Sequence, residues 1–223
     1  MNKIMFTDVL TEAVKEGRKT NTRREESALK KAIKKYEAIY HVPFSFISQY
    51  YDSGLERLVM RTPYEPLYFK PRFLPGEVVA IAQSYSAILD ELETPGNFVC
   101  MEHWEAASGK RAHYADLIRH PGFGNKMFVS ADEMLHQIRI SGVRIERMQD
   151  ISEEDCLREG IRTLTSAYNP THYTFDGWKF KNNVNRCSDT PREAFSCLIN
   201  KVSGKGTWER NPWNVVYDFE LVK

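Results

Sequence analysis

The chain has 223 residues, 42% of them hydrophobic and 27% charged, with 31 Lys+Arg against 30 Asp+Glu. A net charge of +1 excludes a uniformly basic nucleic-acid coat and an acidic disordered tail, and the length is ample for a core. No apolar run reaches the ~18–20 residues of a membrane span, and the opening MNKIMFTDVL lacks a signal-peptide core, so a cytoplasmic protein without a membrane partner is expected. Four cysteines with no C-x-x-C pair read as reduced, buried thiols.

In chain order, residues 7–16 predict a short helix, with Thr7 placed to cap it, Val9, Leu10, Ala13 and Val14 as its stripe, and Gly17 as its stop. Residues 25–40 predict a second helix, whose Leu29, Ile33, Tyr36 and Tyr40 recur at helical spacing. The window Lys15–Lys35 holds nine basic and three acidic residues, a local +6 that leaves −5 for the rest. Lys30, Lys31, Lys34 and Lys35 then lie on the wet side of that helix, as a solvated face or as a phosphate-attracting patch.

Prolines 43, 63, 66, 71 and 75 break up the next stretch, and its many rings mark it as an ordered insert. Strands are predicted at Glu77–Tyr85, Phe98–Trp104, Met127–Val129 and Leu135–Ile145, with a bulge at Ser141-Gly142 where the alternation changes parity. Such a bulge suits a sheet that bends towards a barrel. Ser152 and Thr190 start helices that run to Gly160 and to about Val202, and Val215–Val222 alternates as a last strand. Tyr173, Phe175, Trp178 and Phe180 read as a hairpin packing its rings, with base stacking as the alternative.

Two sites can be set aside. Cys100 and His103, with His113 and His120 downstream, have zinc-like atoms but no tight second pair, and no metal or other cofactor is expected. A serine hydrolase would need a G-x-S-x-G elbow, which is missing. The segment Gly17-Arg18-Lys19-Thr20-Asn21-Thr22-Arg23-Arg24 stands apart, read as a turn carrying four cations and two hydroxyls. Adjacent cations are costly to bury without an anion, so either water or a phosphate-bearing ligand should meet them.

Gly17-x-Lys19-x-x-Thr22-x-Arg24 resembles the G-x-K-x-x-T-x-R signature of the ASCH domain family, relatives of the PUA RNA-binding domain. Pro75–Val79, Asn125–Phe128, Val143–Asp155 and Trp208–Pro212 are similar, in order, to further blocks of longer phage- and prophage-associated members. The resemblance implies one α+β domain over residues 1–223, a small PUA-like β-barrel with surrounding helices, an insert at about 25–71 and an aromatic-rich excursion at about 162–189. It implies a cleft that binds RNA or a modified nucleoside, with Gly17, Arg18, Arg23, Arg24, Lys30 and Lys34 as ligand-binding residues. One branch of the family is an amidohydrolase acting on N4-acetylcytidine, and its Lys, Thr and Glu fall on Lys19, Thr22 and Glu159. A third reading is a phage-associated interaction protein whose insert makes the contacts.

Overall fold

A computed structural model describes residues 1–92, 114–166, 169–178 and 186–222. In chain order the elements are β1 (Lys3–Ile4), α1 (Asp8–Lys15), β2 (Asn21–Arg24), α2 (Ser27–Tyr40), β3 (Ser48–Asp52), β4 (Arg57–Arg61), β5 (Leu67–Phe69) and β6 (Val78–Ile81). There follow α3 (Tyr85–Leu92), α4 (Tyr114–Leu117), β7 (Gln137–Arg147), α5 (Glu153–Arg158), β8 (Arg162–Ser166), β9 (Asn169–Thr174), α6 (Pro191–Val202), α7 (Thr207–Arg210) and β10 (Trp213–Leu221). The chain divides into two compact units, one of residues 1–6, 78–139 and 221–223, the other of residues 7–77 and 140–220.

In the first unit β1 runs parallel to β6, with Ile4 opposite Ile81, and β6 runs antiparallel to the start of β7, with Val79 opposite Ile138. Ala80, Tyr85, Ile88, Leu117, Val129 and Met134 form its core. The Tyr85 hydroxyl donates to Glu133 Oε2 at 2.7 Å, satisfying the polar end of a buried ring. Met127–Val129, predicted as a strand, is instead a 3-10 turn over Lys126–Phe128, capped by the Asn125 side chain. Lys3 explains it: its amine takes the carbonyls of Met127 at 2.7 Å and Val129 at 2.9 Å, so they are unavailable to a ladder.

In the second unit Gly17, at φ +72°, ends α1, whose Leu10, Ala13 and Val14 are buried. Thr7 stands at the cap position of α1 but makes no side-chain cap bond, whereas Ser152 accepts from Asp155 N and Thr190 from Glu193 N. On α2 the predicted stripe holds, with Leu29, Ile33 and Tyr36 buried. The proline-rich insert contains a three-stranded antiparallel sheet, β3-β4-β5, that the punctuation by proline concealed. Ile138, Ile140 and Ile145 are all fully buried, so the parity change across Ser141-Gly142 is present in β7.

No closed barrel exists among the described residues. The strand order is β1-β6-β7 in the first unit and β7-β10-β2 in the second, with β3-β4-β5 and β8-β9 as separate sheets. A barrel needs its terminal strands to find partners. Here β1 has two residues and β2 four, and each pairs on one side only, so the sheets stay open. A bulge bends a strand but supplies no closing partner, which is why the barrel expectation fails. The described chain is a mixed α+β arrangement of open sheets.

Candidate functional site

The segment expected to be a turn is a strand from Asn21 onward. β2 pairs antiparallel with β10, placing Arg24, Arg23, Thr22 and Asn21 opposite Val215, Val216, Tyr217 and Asp218. Because side chains alternate along a strand, Asn21 and Arg23 share a face with Asp218, while Thr22 and Arg24 share the other with Tyr217. Lys19 precedes the strand and forms an isolated bridge with Glu159 at the end of α5.

The first face is a buried ionic network. Lys19, 1% exposed, sets its amine 2.5 Å from Glu159 Oε2, 2.8 Å from the Asn21 carbonyl and 3.2 Å from the Glu159 carbonyl. Arg23 reaches Glu159 Oε1 at 3.3 Å, Glu146 at 2.8 Å and Asp155 at 3.0 Å. Arg144 pairs with Glu146, Asp155 and Asp218, and Arg158 joins Asp155 at 3.0 Å and Asp218 at 2.7 Å. Four cations thus face four carboxylates. Burial drives the Lys19 amine below its ordinary value; Glu159 opposes the fall and the charges of Arg24 and Arg23 add to it. Burial alone would raise the Asp155 carboxyl, but the hydrogen bond from Arg23 and the charges of Arg144, Arg23 and Arg158 outweigh it and hold the group low. Asn21 is fully buried, and neither atom of its side-chain amide has a hydrogen-bond partner among the described residues.

On the second face the Tyr217 hydroxyl donates to Glu26 and accepts from the Arg72 amide at 3.0 Å. Burial lowers the Arg24 guanidinium here, against the attraction of Glu159. Thr22 is buried on this face, and the described bonds of the Lys19 amine go to Glu159 and Asn21, not to Thr22. The structure therefore joins Lys19, Arg23 and Glu159 and sets Thr22 apart. Arg18 is held elsewhere, by Glu16 at 2.5 Å and Asp176 at 2.9 Å, and Gly17 serves the helix end.

An open concavity of this unit lies along α2. It is a cleft of about 510 Å³ whose lining includes Lys30, Ile33, Lys34, Arg147, Arg210 and Trp213. The Arg147 guanidinium sits 4.3 Å from the centre of the Trp213 ring, which Phe44 buttresses edge-on at 5.2 Å. Three carboxylates also line the cleft, and each is engaged: Glu25 with Arg210 at 3.4 Å, Glu26 with Tyr217, and Glu37 with the Phe44 amide at 3.0 Å. Lys30 and Lys34 are exposed and make no ion pair among the described residues. Sequence reasoning missed Arg147, Arg210 and Trp213, which come to α2 from β7, α7 and β10 and leave no local pattern.

Among the described residues no group of three or more His, Cys, Asp or Glu could hold a metal ion. Cys100, His103, His113, the Phe98–Trp104 strand and Phe180 lie outside the described residues. Cys156 is buried as expected, but Cys187 and Cys197 are exposed: Cys187 lies beside Ser188, which bridges Tyr173 of β9, and Cys197 is off the buried stripe of α6. No described helix is long and apolar enough to cross a membrane. No family model, characterised protein or solved structure matches the chain. The likeness to the ASCH family rests on the motif residues alone.

Proposed function

We propose that this chain is a cytoplasmic, ASCH-type module that binds single-stranded RNA or a nucleoside, with the ligand in the α2–Trp213 cleft. One observation carries the reading: two unpaired lysines and two arginines surround an aromatic wall in a hollow of about 510 Å³. Cations that follow a phosphate backbone, interleaved with a ring on which a base can stack, are the physical requirement for binding single strands. A solvated helix face would need no aromatic wall. The test is fluorescence anisotropy with a labelled oligouridylate of about twelve nucleotides, titrated with salt. Each phosphate contact contributes about 0.7 to the slope of log affinity against log salt, so Lys30→Glu with Lys34→Glu should flatten it by about 1.4. An unchanged slope in that double variant would return the lysines to a solvated face.

The amidohydrolase reading has one feature in its favour. Lys19 is an amine pushed towards neutrality, beside Glu159 and the uncommitted amide of Asn21. In that scheme the Thr22 hydroxyl attacks the acyl carbonyl, Lys19 takes its proton, Glu159 passes a proton to the departing amine as the C–N bond breaks, and water then hydrolyses the acyl-Thr22 ester to release acetate and restore the hydroxyl. The placement of Thr22 on the Tyr217 face counts against it. Incubation with N4-acetylcytidine decides: acetate released by the wild type and lost in Thr22→Ala would reinstate catalysis, and no cytidine would remove this substrate.

A further inference from the structure

The sheet β3-β4-β5 has two unlike faces. Leu58, Met60 and Phe69 turn inward and are buried. Alternation sends Arg57, Val59 and Arg61 to the outer face, and the register lays Tyr50, Val59 and Tyr68 side by side across the three strands. Val59 is 2% exposed, whereas Tyr50 is 46% and Tyr68 47% exposed. The residues beside Val59 therefore close over it, and two ring surfaces remain open to water, with backbones two strand spacings, about 10 Å, apart.

Cations flank the middle of this row, two residues to either side of Val59 along β4. Arg61 holds its guanidinium 5.9 Å from the centre of the Tyr50 ring, and Arg57 lies at the other end of β4. Neither makes an ion pair among the described residues. The carboxylate on the same face, Asp52, accepts from the Leu55 amide at 3.0 Å and so belongs to the hairpin turn. Glu56 is occupied by Lys70 at 2.7 Å. The strand that carries Tyr50 is anchored: the Gln49 side chain exchanges bonds of 2.8 and 2.7 Å with the Ile145 backbone.

We propose that this outer face is a second contact surface for single-stranded nucleic acid, distinct from the cleft: Tyr50 and Tyr68 stack on unpaired bases while Arg57 and Arg61 meet phosphates. The class of ligand rests on the reading of the cleft; the residues do not overlap. A protein partner fits less well. Protein-docking patches centre on an apolar core, and the one apolar side chain between these tyrosines is already covered. What remains is ring surface and unpaired positive charge, the combination that bases and phosphates match.

The experiment measures anisotropy of labelled oligouridylate and oligothymidylate with wild type, Tyr50→Leu, Tyr68→Leu, Tyr50→Phe, Tyr68→Phe, and the cleft variant Lys30→Glu/Lys34→Glu. Leucine keeps a cover over Val59 without an aromatic face, so folding, checked by the thermal midpoint, should persist. Each Leu variant should weaken binding roughly 5-fold to 100-fold, and each Phe variant should bind as wild type, because stacking uses the ring and not the hydroxyl. Equal losses with both oligonucleotides would show that base faces are read and the 2′-hydroxyl is not; a loss confined to oligouridylate would add that hydroxyl to the contact. If the Leu variants bind as wild type while the cleft variant loses affinity, the face is not a nucleic-acid surface and the cleft reading survives. If wild type binds neither oligonucleotide, both proposals fall.

Discussion

Replacing Glu159 with Gln keeps the shape of the side chain and removes its charge. In the wild type that carboxylate lies 2.5 Å from a fully buried ammonium and 3.3 Å from Arg23. Arg23 retains Glu146 and Asp155, whereas the bonds described for Lys19 besides that carboxylate go to two carbonyls. Breaking one side of a buried pair typically costs about 3–5 kcal/mol, because the surviving charge stays desolvated. With a urea slope of ~2 kcal/mol per M, the midpoint should fall by roughly 1.5–2.5 M at neutral pH. Lys19→Met in the same background should recover most of the loss, since an apolar side chain there has no charge to desolvate. The pH dependence has a definite sign. Burial and the charges of Arg24 and Arg23 lower the Lys19 pKa, so the folded amine releases its proton below the ordinary 10.5. Between the two values the unfolded chain binds more protons, and stability rises with pH. The deficit of Glu159→Gln should therefore be full below the depressed folded value and shrink towards 10.5. A midpoint within error of wild type, or a double variant no better than the single, would refute the reasoning.

Cys187 and Cys197, both exposed, should react promptly with a thiol reagent in the native protein, while Cys156, buried and with its thiol pushed up by burial to about 12, should react only on unfolding; rapid labelling of Cys156 would contradict its burial. Gly160→Ala should cost about 1–3 kcal/mol in thermal or urea melts, because Gly160 has φ +103° and a methyl there would meet Ala13 Cβ at 3.4 Å; an unchanged melting curve would mean that the strand entry tolerates a side chain.

Local signals were readable where the chemistry is local. Ser152 and Thr190 cap their helices with bonds three residues along the chain, and the α2 stripe follows from helical spacing. The insert sheet was not readable, because β3 (SQYYD) mixes polar and aromatic residues without clean alternation and prolines surround its neighbours. The network was hidden for a different reason. Lys19 and Arg23 looked like cations needing water or a ligand, and the carboxylates that answer them stand 123 to 140 residues away. Nothing in the spacing of Gly17–Arg24 foretells which distant acids arrive. The barrel failed on the same point, since closure depends on non-local pairing.

The ionic network has a consequence for how the second unit comes apart. Its carboxylates are contributed by β7, α5 and β10, and Asp155 alone answers Arg23, Arg144 and Arg158. Detaching any one of these elements would strand a buried charge on the others, so partial opening here approaches the cost of complete opening. The amides of Lys19 and Thr20, bonded to the Ala13 and Arg158 carbonyls, sit inside that zone. They belong to the slowest-exchanging hydrogens of the unit, exchanging only through its global unfolding.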